Sequence, residues 1–238
     1  MIREIRKKLI VLSNRSPFPA AVKEYIDHLE KLDWIYMNLR LDGSPLSREE
    51  VEKILGGEMV INGRIMDHVL VERLGELRRE LYDLMQRRLD IGPELIRNIA
   101  AKTGVDTTEF RKTTPQLVEY EYTPVLPAEI PDAMSEFLAF AGHRDEFENP
   151  FEKAAGLHNR LLAIYPFKEE NQIVARALME YYLLEEGFPM ACPDMSESEY
   201  NGAFCNYCRS GSSRPLADLL TKAVLDRLEL MIQLTGSL

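Results

Sequence analysis

Apolar residues recur three and four positions apart along most of this chain, and that spacing restricts it to helices that pack through one face. Between Ala20 and Tyr36, Val22, Tyr25, Ile26, Leu29, Leu32 and Ile35 form such a stripe, after breaks at Pro17 and Pro19. Gly43, Ser44 and Pro45 then enforce a turn. Ser47 followed by Glu50 is a capping-box pair, opening a short helix that Gly56 and Gly57 end. Leu70, Leu74, Leu77, Leu81, Leu84 and Met85 mark a long helix from Asp67 to near Arg88, and Pro93 restarts a shorter one that stops near Gly104. Later helices are expected over 133–141, 154–164, 171–186, 198–208 and 215–234.

The pattern changes once. After a turn at Pro115, Leu117, Glu119, Tyr120, Glu121 and Tyr122 suit extended chain, so a small β-hairpin is expected within 111–122. Pro124, Pro127 and Pro131 exclude a regular element until Ala133. The expected architecture is all-α, a helical bundle with a short β-hairpin flap. Its boundary falls between Gly104 and Phe110, giving an N-terminal helical region over 1–106 and a core over 107–238.

A chain of 238 residues, 45% hydrophobic and 29% charged, can bury a core without disulfide or metal staples. Its net charge of -10 sets the overall field against nucleic-acid backbones and anionic lipid, so neither nucleic acid nor membrane is an expected partner. No segment approaches the roughly 18 consecutive apolar residues of a membrane span. The basic start MIREIRKKLI is not followed by a leader-like apolar run. Together with only three cysteines, this makes a cytoplasmic location the expectation. Cys205 and Cys208 have CxxC spacing, but they lack a second ligand pair and fall in a helical stretch, so no metal or redox role is assigned to them.

The candidate chemistry lies between two of these helices, in Tyr165-Pro166-Phe167-Lys168-Glu169-Glu170-Asn171-Gln172-Ile173-Val174-Ala175-Arg176. This stretch resembles the active loop of the Fic family, which reads His-Pro-Phe-x-Asp/Glu-Gly-Asn-Gly-Arg-x-x-Arg. Pro166, Phe167, Glu169, Asn171 and Arg176 match the pattern, whereas Tyr165, Glu170, Gln172 and Ile173 replace its histidine, both glycines and its first arginine. Upstream, Ala154-Ala155-Gly156-Leu157-His158 resembles the family's central helix, and Arg111 to Pro131 resembles its flap and the proline-rich lead that follows. Leu183 to Pro189 resembles the end of the next helix. Asn38-Leu39-Arg40-Leu41-Asp42-Gly43 looks like the inhibitory segment, Ser/Thr-x-x-x-Glu-Gly or Asn. The resemblance spans roughly residues 32 to 225.

The resemblance implies a fold that moves AMP from ATP to a hydroxyl of a target protein, with Mg2+ on the phosphates. It places Tyr165 at the general-base position, Asn171 and Arg176 at nucleotide-binding positions, Glu169 at the metal position, and Asn38 and Asp42 at the inhibitory positions. The substitutions oppose that chemistry. A phenol with a pKa of about 10 needs roughly 4 kcal/mol to reach its base form at neutral pH. Side chains at the two glycine positions obstruct the close approach of backbone N–H groups to phosphate. The added Glu170 carboxylate repels a phosphate charge some 5 Å away by roughly 3 kcal/mol at an effective dielectric of about 20. Ile173 forfeits charge-assisted hydrogen bonds worth about 1.5–3 kcal/mol.

Asp42 is one methylene shorter than the family's glutamate yet still long enough to pair with Arg176. His158, two turns before the loop, reads as a core histidine rather than a substitute base. The expected function is that of a catalytically impaired relative of protein adenylyltransferases, acting as a binding or regulatory module. Its partner would pair with an extended edge at Leu117–Tyr122. The alternative is a weak or altered metal-dependent nucleotidyl or phosphoryl transferase working through Glu169. Homo-oligomerisation stays open.

Overall fold

A computed structural model describes residues 1–61, 65–143 and 149–236. Ten α-helices lie among them: α1 (Ile2–Arg15), α2 (Ala20–Leu41), α3 (Arg48–Leu55), α4 (Ile65–Gln86), α5 (Pro93–Lys102), α6 (Ile130–Gly142), α7 (Pro150–Ile164), α8 (Asn171–Glu185), α9 (Glu197–Ser210) and α10 (Arg214–Leu234). The all-α expectation holds, and there is no sheet among the described residues.

The fold is built around α7 and α8. These two helices share the most extensive helix–helix contact, α10 and α6 lie against α7, and α4 and α5 lie against α8. Every residue of α8 from Ile173 to Leu184 is buried. A helix buried on all sides is a central one, and its apolar residues accordingly fall on every face rather than on one stripe. On the outside, α1 covers α10, and α2 packs on α4 with α3 beside it. One buried cluster runs from Ile5 through Trp34, Leu81 and Phe137 to Leu228, so it draws on both sides of the 104–110 stretch.

Local signals placed most boundaries. Ser47 and Glu50 exchange both capping-box hydrogen bonds at the start of α3. Ser196 and Glu199 do the same for α9. Gly187 follows α8 with φ of +83°, the left-handed geometry that a helix C-terminus commonly requires.

Several expectations need correction. The basic N-terminal segment is a helix, α1, whose buried Ile5 and Leu12 seat it on the rest of the fold. Helix α2 continues past Tyr36 to Leu41, so Asn38 lies on its last turn and Asp42 caps it. Helix α6 starts at Ile130 with a proline in its first turn, where the missing N–H has no intrahelical partner to lose. The hairpin shrinks to a single antiparallel bridge between Leu117 and Tyr122, closed over a 3-10 turn at Val118–Tyr120. Burial explains the change. Leu117 and Tyr120 both turn inward at 4% exposure, and Tyr120 meets Phe204 of α9 edge-on at 4.9 Å, which a straight strand with alternating faces would not allow.

Leu178, fully buried on α8, tests the central role of this helix. Leu178→Ala should cost about 2–5 kcal/mol of stability and lower the thermal midpoint, with the far-ultraviolet circular dichroism of the folded protein unchanged.

Candidate functional site

The loop between α7 and α8 is bounded by two residues in left-handed backbone geometry. Tyr165 ends α7 at φ 51° and ψ 58°. Glu170 precedes α8 at φ 61° and ψ 16°. Glu170 occupies the first position where the family pattern has glycine. The chain therefore keeps the turn that glycine makes freely, at a strain on the order of 1 kcal/mol for a residue with a Cβ.

Two side chains hold this loop in shape. Asn171 accepts from the Phe167 N–H at 2.9 Å through Oδ1, and through Nδ2 it donates back to the Phe167 carbonyl at 2.9 Å. It is buried, so this matching residue acts as a clip within the loop. Arg111 binds from outside. Its Nε donates to the Tyr165 carbonyl at 2.7 Å, and its other nitrogens donate to the carbonyls of Thr113, Val125 and Ile164. A cation on the last carbonyls of α7 is favoured by the helix dipole and ties the flap segment to the loop. Sequence reading assigned no role to Arg111, because an arginine in a polar stretch gives no sign that it is 6% exposed.

Arg176, one helical turn into α8, is 4% exposed. Its Nε donates to Asn38 Oδ1 at 2.7 Å, and its Nη2 donates to both carboxylate oxygens of Asp42 at 2.8 and 2.9 Å. Asn38 is itself fixed by donating to the Trp34 carbonyl at 2.8 Å. The guanidinium carbon lies 5.4 Å from the centre of the Tyr200 ring. Burial opposes the charge of Arg176, but Asp42 and Tyr200 outweigh it and raise the pKa further, so the guanidinium stays charged. Its Nη1 is buried without a hydrogen-bond partner among the described residues.

From Tyr200 the polar chain continues inward. His158 is fully buried, with Nδ1 2.9 Å from Asn159 Oδ1 and Nε2 2.8 Å from the Tyr200 hydroxyl. An amide oxygen can only accept, so Nδ1 carries the proton and Nε2 accepts from Tyr200. The Asn159 amide donates to Ser213 Oγ at 3.1 Å, which is consistent with that assignment. Burial pushes the His158 pKa down to about 4, leaving it neutral and committed to the core.

Tyr165, at the base position, is half-buried, and burial raises its phenol above the usual range against smaller opposing effects of Asn171 and Gln172. Ile173 is 1% exposed and packs into the core. Glu169 stands exposed at the loop tip. Beside the loop lies a cavity of about 500 Å³ whose walls include Asp42, Glu119, Glu170 and Glu197. Burial, then the charges of Asp42 and Glu169, raise the Glu170 carboxyl. The structure thus brings Asn38, Asp42 and Arg176 into one cluster and sets Glu169 apart from their hydrogen bonds.

A central buried helix pair joined by this loop, with a flap clamped over it, defines a Fic-type fold. The Fic/DOC family model matches residues 72–183. Protein adenylyltransferase fic-1 of Caenorhabditis briggsae is 25% identical over 197 residues, covering 79% of this chain and 39% of that protein. Protein adenylyltransferase Fic of Nematostella vectensis is 25% identical over 224 residues, covering 90% of this chain and 51% of its own. The chain therefore spans about half, or less, of these curated relatives. In three dimensions it is similar to a Fic domain containing signaling protein from Bacteroides thetaiotaomicron, with a TM-score of 0.84 at 19% identity over 98% of this chain and 97% of the other. Fic-1 (residues 134–508) of Caenorhabditis elegans gives a TM-score of 0.78 at 20% identity, over 98% and 71% respectively. The family model, these relatives and the shared fold together support membership of the Fic/DOC family.

Two measurements check this geometry. Asp42→Ala should destabilise the fold by about 2–3 kcal/mol in denaturant titration, because it leaves the buried Arg176 charge without its anion; partial exposure of Asp42 keeps the loss below that of a fully buried pair. For His158, the folded-state pKa lies below the unfolded value. Its contribution to stability is thus complete above about pH 6.5 and is lost as pH falls toward 4. The imidazole resonances of His158 should not titrate between about pH 8 and 5.5.

Proposed function

We propose that this chain is a Fic-fold protein in which AMP transfer is impaired and whose working role is to bind a partner protein. The observation that carries this reading is the sealing of Arg176, the surviving loop arginine, by Asn38 and Asp42. A guanidinium already paired with a carboxylate and nine-tenths buried is withdrawn from phosphate. The cavity beside it is lined by four carboxylates, Asp42 among them, which repel phosphate oxygens. A nucleoside triphosphate meets repulsion from that lining in place of a free arginine.

The base position points the same way. A phenol raised by burial is a weaker base source at neutral pH than the roughly 4 kcal/mol deficit of a free tyrosine already implies. Ile173 cannot stand in for the arginine it replaces, because its side chain faces the core.

The relatives named protein adenylyltransferases act, by that name, on proteins, and protein recognition is the part of such a role that survives loss of the loop chemistry. The contact surface is the flap at the cavity mouth. Leu117 and Tyr122 bond each other's main chain at 3.0 and 3.2 Å, so a partner strand has little open edge to extend there. Val118, 77% exposed, and Glu119 at the cavity wall present side chains instead.

Labelled ATP with Mg2+ tests the reading. Wild type and Tyr165→His should both transfer no label to themselves or to lysate proteins, since the single change restores a base without a phosphate cradle. The combination of Tyr165→His, Glu170→Gly, Gln172→Gly and Ile173→Arg should gain ATP affinity in calorimetry first and transfer second. Label transfer by wild type would show that the chain is an active enzyme through other groups, Glu169 foremost.

A further inference from the structure

A second polar cluster, remote from the loop, draws on α2, α3, α4, α8 and α10. Glu180, one helical turn beyond Arg176 on α8, is 2% exposed, and its Oε2 has no hydrogen-bond partner among the described residues. Glu30 of α2 is 7% exposed, and its charge acts on Glu180. Each surrounding arginine holds a carboxylate of α2, although Arg78 Nε and Arg227 Nη1 are buried with no hydrogen-bond partner among the described residues. Arg78 of α4 donates to Asp27 at 2.8 Å and to Glu30 at 3.4 Å. Arg227 of α10 donates through Nη2 to Asp33 at 2.7 Å, and Arg48 of α3 meets the other oxygen of Asp33 at 2.8 Å. Tyr82 of α4 donates to Glu30 at 3.1 Å.

Three arginines therefore face three carboxylates of α2, Asp27, Glu30 and Asp33, and the charges balance without Glu180. The segment after α8 contributes Cys192, a neutral thiol held up by burial, and the Ala191 backbone N–H, which Glu180 accepts. Helix α7 contributes no balancing charge, since its buried His158 and Lys153 are bound to Tyr200 and to carbonyls at the end of α6. Arg97 of α5 is bonded to the Pro93 carbonyl. An ionised Glu180 would be an excess buried anion beside Glu30.

We propose that Glu180 holds a proton at neutral pH and that this proton couples the seating of α2, and with it the Asp42–Arg176 pair, to pH. The same two helices carry both clusters, Glu30 with Asn38 and Asp42 on α2, and Glu180 with Arg176 on α8. Loss of the proton places two like charges across the interface whose other contact covers the loop arginine. Alkalinisation then loosens α2 and uncovers Arg176. The inference stands on the burial of Glu180 with an unpartnered oxygen and on the bonds of Arg176 to Asn38 and Asp42, and not on whether the loop transfers AMP. Burial first, and the Glu30 charge second, raise the Glu180 carboxyl to about 8, with Arg227 opposing. Because this lies above the unfolded value of 4.5, the stability involved is complete below that value and is lost as pH rises toward 8.

The experiment compares wild type with Glu180→Gln, which keeps the shape of the protonated carboxyl, in thermal melts from about pH 5.5 to 8.5 and in amide hydrogen exchange over residues 38–43. The wild-type midpoint should fall by about 5–10 °C across that range, and exchange at 38–43 should accelerate about tenfold beyond its intrinsic pH dependence. The variant should lose most of both responses. Equal slopes in the two proteins overturn the proposal, as does a wild-type midpoint that rises with pH, the behaviour of an ionised Glu180 paired with Arg227. If the midpoint slope disappears in the variant while exchange at 38–43 is unchanged, the coupling to α2 is overturned. Carbon NMR of labelled glutamate carboxyls in wild type gives a reading independent of the variant's folding: a buried carboxyl titrating near neutral pH is expected, and its absence overturns the assignment.

Discussion

A guanidinium sealed inside a helical core has to be met by an anion and by acceptors, since an unmatched buried charge costs several kcal/mol. Arg176 imposes that condition on the elements around it. Helix α2 must run on to Leu41 to deliver Asn38 and Asp42, and α9 must bring the Tyr200 ring over the guanidinium. Tyr200 then needs a partner for its hydroxyl, which His158 supplies from α7, and Asn159 and Ser213 complete the chain at the start of α10. Arg176 is thus a point at which four helices are tied into one polar network within an otherwise apolar core.

The loop keeps a backbone shape while its lining differs from the family pattern. Glu170 adopts the left-handed geometry of a glycine position, while Asn171 and Arg111 supply hydrogen bonds that hold the turn without any ligand. What changes is the lining. A carboxylate, an amide and a buried isoleucine stand where the family pattern has two glycines and an arginine, so the same shape borders a space lined with acidic side chains. Shape and charge are separable properties of a loop, because the first depends on a few backbone dihedrals and the second on side chains projecting from them.

The two ion clusters of α2 and α8 make these helices electrostatically interdependent. In one, both oxygens of the Asp42 carboxylate accept from Arg176; in the other, three arginines face three carboxylates of α2 and Glu180 is a fourth acid. Buried networks of this kind are sensitive to a single proton, because the low-dielectric interior that strengthens good pairs also penalises the unmatched group.

The sequence by itself determined most of the helices, many of their ends and the alignment of the loop. Those features arise from residues a few positions apart: the three-and-four spacing of Leu70 to Leu84, the reciprocal bonds of Ser47 with Glu50, the glycine after α8. The loop pattern is equally local, and it brought Asp42 into consideration as a partner for Arg176. Only the tertiary structure decided that Arg111 is buried against the loop, that His158 is neutral, that the flap is a single bridge and that Glu180 lies beside Glu30. The physical reason is the range of the contacts. Arg111 meets a carbonyl 54 positions away and Arg176 a carboxylate 134 away, and burial and charge pairing at such separations depend on how helices stack, which no local period encodes.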